Sequence, residues 1–275
     1  MKKIFIAFLL SLSVTLSAQY AGDTLSPMRV VEKYLSPLGF PEKMRHFCCE
    51  MYQEWSAPKT LGEQLAVTVQ RDFQLLYQDT ARAVVTVWLH DSVTSMDVYF
   101  YLQHRTVWTV YAVRSLVMKD FAANDIKRLD SIPLDQRGSA YTKKSGHTWQ
   151  FDYDNAKLWG KPDTTLATYF YEHRAAFAKL EKYRAKKYPL KADDSVYVNV
   201  MLNKKIRKQT DKLLIRDIIV DKHAPGTVLY LIGGVLDNSV GYMYQPDPAK
   251  VPAVTAGYFI LIRPLGNGWY LYKTT

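Results

Sequence analysis

From Arg82 the chain alternates. Ala83, Val85, Val87 and Leu89 fall on one side of an extended backbone, with Trp88 and His90 on the other. Over 96–103, Val98, Phe100 and Leu102 oppose Tyr99, Tyr101 and Gln103, and the same period runs through 106–114. Side chains of a strand point to its two faces in turn, so β-branched and aromatic residues at this spacing predict three strands. The connections 91–95 and 104–105 are short enough to make neighbouring strands antiparallel. Upstream the period changes. Met44, Phe47, Cys48, Met51 and Trp55 recur on one helical face, and Pro41 suits a first helical turn, which predicts a helix over 41–55. That helix places Cys48 on the apolar stripe and Cys49 on the polar side, beside His46, Glu50 and Gln53. Neighbouring thiols on a regular helix cannot bridge, so two free thiols are expected unless Cys49 pairs with another chain. An earlier helix over 27–35 stops at Ser36-Pro37, and a helical or mixed segment follows Thr60.

The order repeats downstream. Residues 121–161 read as a connector with a short helix over 124–130, and "HTWQFDYDN" adds a possible strand. Asp163 or Thr164 can cap a helix that runs to about Lys187, with Leu166, Phe170, His173, Phe177 and Leu180 as its stripe. Basic residues near its end suit the helix dipole, and Pro189 stops it. Strands are predicted over 196–202, where a helix is the alternative, and over 213–220, 227–232, 240–244, 258–262 and 269–273, with Gly266-Asn267-Gly268 as a hairpin turn between the last two. The fold class is α+β: two helix-plus-antiparallel-sheet units, 19–120 and 162–275, joined by 121–161.

Helices followed by the meander "ARAVVTVWL", "MDVYFYLQ" and "TVWTVYAVRS" resemble the NTF2-like superfamily of cone-shaped α+β domains over roughly 23–119. The resemblance implies a cone that holds either an enzyme site or a non-catalytic binding or assembly surface. It carries over no catalytic residue. "GGVLDNSVGYMY" and "GNGWYLYKTT" resemble a small family of secreted bacterial proteins of unassigned function.

Composition changes the setting more than the fold. Lys2 and Lys3, an apolar run 4–10 and a small-residue tail to Ala18 read as a signal peptide over 1–18. Removing 18 of 275 residues leaves 257, and losing two lysines takes the formal charge from +10 to +8. An exported, periplasmic or extracellular chain meets little nucleic acid, so none is expected as a partner. A basic surface there suits an envelope polyanion, a glycan or a protein partner. No later run is long and apolar enough for a transmembrane anchor. Two adjacent cysteines exclude a disulfide framework.

The candidate chemistry starts from a near miss. Asp237-Asn238-Ser239-Val240-Gly241 differs from a G-x-S-x-G nucleophile elbow only at its first residue. The elbow needs a helix after the serine and a histidine downstream. Here a strand-like run follows, and the last histidine is His223, so a hairpin turn through Asp237-Asn238 is expected instead. Ser56-Ala57-Pro58-Lys59 fits S-x-x-K without the motif's other boxes. His46, Cys49 and Glu50 have metal-capable spacing but no fourth ligand, and Asp152-Tyr153-Asp154-Asn155 reads as a turn rather than a calcium loop. No catalytic residue, metal site or cofactor is predicted. Two surfaces remain. Trp88, Tyr99, Tyr101 and Tyr111 line a ligand cavity if the meander is open, or core if it is covered. Lys204, Lys205, Arg207, Lys208 and Lys212 form the densest basic cluster, an anion site through the first four or a solvated loop. The expected function is a non-catalytic binding or assembly module; the alternative is a hydrolase or isomerase with its pocket inside the N-terminal cone.

Overall fold

The computed structural model describes residues 25–275, apart from 94, 117, 190–196, 199–203, 221–223, 225 and 236–237. The expected signal peptide, His223 and Asp237 lie outside the described residues. The architecture is α+β, with two antiparallel sheets.

Helix α1, Pro27–Tyr34, starts where Ser26 Oγ accepts the Arg29 N–H, with Pro27 in its first turn. The expected helix over 41–55 does not form as one piece. Short 3₁₀ turns, Lys43–Arg45 and Cys49–Tyr52, flank an extended break, and α2 is only Gln53–Ser56. Tertiary pairing causes the break. Val110 N donates to His46 O, Cys48 N donates to Val110 O, and Phe47 bridges to Val110. The apolar spacing came instead from a segment that lies along a sheet edge and buries Phe47. After Thr60, a capping box starts the one-turn α3, Leu61–Gln64, and the chain then enters a strand not foreseen there.

That strand, β1 (Gln70–Gln78), joins β2 (Arg82–His90), β3 (Ser95–His104) and β4 (Trp108–Arg114) in sequence order. The meander is followed by α4 (Met118–Asp130), α5 (Ser139–Ser145) and α6 (Trp149–Trp159). The possible strand at 147–155 is therefore a helix, as is the expected turn at Asp152–Asn155. Thr148 Oγ1 accepts the Phe151 N–H and starts it. Helix α7, Asp163–Lys187, carries Leu166, Phe170, Phe177 and Leu180 fully buried, with His173 half-buried on their stripe.

The second sheet holds β5 (Tyr197–Val198), β6 (Asp217–Val220), β7 (Val228–Val235), β8 (Asn238–Tyr244), β9 (Phe259–Gly266) and β10 (Trp269–Thr274). Its order is β5-β6-β7-β8-β10-β9, so β10 is inserted between β8 and β9. Between β5 and β6 lies α8, Lys204–Lys212, where a loop was one expectation.

One face of the first sheet packs Val85, Val87, Phe100 and Leu102 against α1, Phe40 and Phe47. Its other face packs Val84, Tyr99, Tyr101 and Ala112 into the same core as Phe170, Phe177, Tyr242 and Trp269. The two units therefore share a core, and both faces of the meander are covered.

Candidate functional site

Where the two sheets meet, a cleft of about 360 Å³ opens. One wall comes from β1 to β4 through Leu76, Tyr77, Val84 and Tyr111; the other comes from Val254 in the β8–β9 connection and from Ile262, Pro264 and Tyr270. Alternation explains why these side chains face one another. Leu76 and Val84 stand on the sheet face turned to the C-terminal unit, as Tyr99 and Tyr101 do. The lining is mostly apolar, and among the described residues its cation is Arg82, ion-paired to Asp79 at 3.6 Å. Asp79 is held low, to about 2, first by the Tyr77 hydroxyl and then by the N–H groups of Ala81 and Arg82. It is therefore a permanent anion beside a guanidinium that is more than half exposed. Burial pushes the half-buried Tyr111 phenol up, so the cleft presents it as a neutral hydroxyl.

The four aromatics expected to line a ligand site separate. Tyr111 lines the cleft. Tyr101 is buried behind it and donates to Ile260 O at 2.6 Å. Tyr99 is fully buried in a charged knot: its hydroxyl donates to Asp163 Oδ2 at 2.9 Å and lies 3.0 Å from Lys273 Nζ. Lys273 in turn pairs with Asp163 at 2.6 Å and with Asp97 at 3.4 Å. Trp88 sits elsewhere, stacked on His90 at 3.7 Å, with Asp72 2.9 Å from that imidazole. In the knot, burial and the neighbouring Asp163 raise Asp97 to about 6. Burial opposes charge on Lys273, but Asp163 and Asp97 outweigh it and hold the ammonium. Two carboxylates facing one cation can keep a proton without catalytic purpose, and the knot lines none of the cavities described here. It ties β3, α7 and β10 together.

Ser239 lies within β8, opposite Gly234 of β7 and Thr274 of β10. Its N–H is 3.2 Å from Thr274 Oγ1, and strand rather than helix follows it. Asn238 opens β8 and pairs with Val235 of β7, so it is strand rather than the expected turn, and Asp237 lies outside the described residues. The serine borders a polar cavity of about 390 Å³ with Asp125, Arg128, Tyr141, Asp152 and Arg216. Asp152, nearly buried, accepts from the Tyr141 hydroxyl at 2.8 Å and from Arg216 at 2.9 Å. Among the described residues, no histidine borders this cavity.

Comparison with family models, curated proteins and solved structures finds no match. The geometry alone has to carry the functional reading.

Lys205 and Lys208 of α8 line a groove of about 350 Å³ with Lys179 of α7, Lys212 and the apolar Ala176 and Leu213. Lys204 is exposed outside that lining, and Arg207 turns away to Gly146 O and Asp211. The expected cluster is thus split: Lys205, Lys208 and Lys212 line the groove, Lys204 and Arg207 do not, and Lys179 is the added cation. Among the described residues, no group of three or more histidine, cysteine or acidic side chains is placed to hold a metal ion, and no helix is long and apolar enough to cross a membrane.

Proposed function

We propose that the protein is an exported, non-catalytic binding module whose ligand seats in the cleft between the two sheets. The observation that carries this reading is the lining: apolar and tyrosine walls from both sheets, with the accessible guanidinium of Arg82. Such a site suits a small apolar or aromatic compound with an acidic head, because the rings bury carbon while Arg82 pairs with the anion. The covered faces of the meander speak for binding at the junction over chemistry inside a cone. The basic groove beside α8 supplies a second contact for an envelope polyanion.

The test uses anilinonaphthalene sulfonate, an aromatic anion, and the uncharged N-phenylnaphthylamine. Both should bind the full chain saturably. Ala253→Trp, at an exposed position on the cleft, should weaken both at least tenfold. Arg82→Gln should weaken the sulfonate about fivefold, the worth of one exposed ion pair, and leave the neutral probe unchanged. Binding that ignores Ala253→Trp would move the ligand elsewhere, and absence of saturable binding would end the proposal.

A further inference from the structure

Neighbouring side chains on a regular helix or strand point well apart. Those of Cys48 and Cys49 do not. Cys48 is extended (φ −154°, ψ 177°), whereas Cys49 has φ +62°, a left-handed conformation that a residue with a Cβ rarely adopts. The two Sγ atoms consequently lie 2.7 Å apart. The bond between two sulfurs is about 2.05 Å long, so little motion separates this pair from a closed ring. The surroundings hold the arrangement from several sides. Cys48 N donates to Val110 O, and Met51 N donates to Cys48 O. Trp55 Nε1 donates to Phe47 O, and Glu50 pairs with Arg114 at 2.7 Å. The Gln103 amide lies 3.0 Å from Cys48 Sγ, and the Arg105 guanidinium is 4.0 Å from Cys49 Sγ.

We infer that Cys48 and Cys49 form a reversible two-electron redox site that closes as a disulfide between adjacent residues. The inference is independent of the cleft. Its co-reactant is a small disulfide such as oxidised glutathione. Cys49 is exposed and Cys48 only partly so. The Cys49 thiolate therefore attacks the small disulfide first, forming a mixed disulfide and releasing one thiol. The Cys48 sulfur then attacks Cys49 Sγ and expels the second thiol. The protein loses two protons and two electrons, and one small disulfide becomes two thiols. Burial pushes the Cys48 thiol up, with the neighbouring Cys49 thiol adding to the effect, which leaves the exposed Cys49 as the first nucleophile.

The full chain is equilibrated with oxidised glutathione, and intact mass is then read after alkylation under denaturing conditions. The expected product is a monomer lighter by two hydrogens, carrying no alkyl group and no glutathione, which takes up two alkyl groups after reduction. Cys48→Ser should instead hold one glutathione on Cys49, because the resolving thiol is gone. Two alkyl groups, two glutathiones or a disulfide-linked dimer from the unmutated chain would each overturn the inference. The unmutated chain supplies the deciding result, so it stands whether or not the variant folds.

Discussion

Asp97 illustrates how a single position couples burial to pH. The folded protein raises its carboxyl from 3.8 to about 6, because it is desolvated and faces Asp163. A pKa above the unfolded value means that the folded state holds the proton more tightly. The resulting stability is complete below about pH 4 and is lost as pH rises through about 6, amounting to about 3 kcal/mol at most for a two-unit difference. Urea midpoints of the unmutated protein and Asp97→Asn, measured from pH 4 to 7, should therefore diverge: the margin of the unmutated protein over the variant shrinks as pH rises. Parallel curves would mean that Asp97 is ionised throughout. The sequence held a readable sign of this knot. Trp269, Leu271 and Lys273 share one face of a strand, as do Asp97, Tyr99 and Tyr101. A charge in an inward row needs a buried partner. What alternation cannot supply is which carboxylate meets which ammonium, since Asp97 lies 66 residues from Asp163 and 176 from Lys273 in the chain.

The elements were legible where one period ran undisturbed. β2 and β3 stand within a residue or so of their expected limits, and α7 reaches Lys187. Failures trace to side chains that break their own pattern. In α6 the buried face includes Asp152 and Asn155, polar groups satisfied by Arg216, Leu214 O and Ile232 O, so the helix hid behind apparent alternation. Near Phe47, pairing with Val110 overrode a helical spacing. At Gly241 a close backbone approach decides the residue: a Cβ there would stand 2.2 Å from Tyr230 O of β7. Gly241→Ala should cost at least about 2 kcal/mol, by forcing the two central strands apart. Chemical denaturation will register this as a lower midpoint at unchanged slope. A loss within about 0.5 kcal/mol, typical of a tolerant surface site, would show that the strands yield easily. The cleft was less legible than the strands. Tyr111 was foreseen, but Arg82 was not, because only the approach of the second sheet makes it part of a wall.

At the scale of the molecule, the two antiparallel sheets were foreseen but the core they share was not. Tyr99 and Tyr101 read equally well as cavity lining or core until the second unit is placed against them. Burial of that face predicts one cooperative transition. Tryptophan fluorescence and far-ultraviolet circular dichroism should give coincident unfolding curves for the full chain. A fragment covering 25–116 would expose Val84, Tyr99, Tyr101 and Ala112 and should show no sharp transition of its own. A fragment that unfolds cooperatively would establish the N-terminal unit as self-sufficient.

The place of β10 between β8 and β9 has a consequence for synthesis. The strand that closes the second sheet is made after both of its neighbours. A nascent chain that stops short of Trp269 leaves β8 and β9 as bare edges, open to wrong partners. It also leaves Asp97 and Asp163 without the ammonium that joins them. Completion of this fold is therefore gated by a single late hairpin, and chains interrupted before it belong to the pool that chaperones hold and proteases remove.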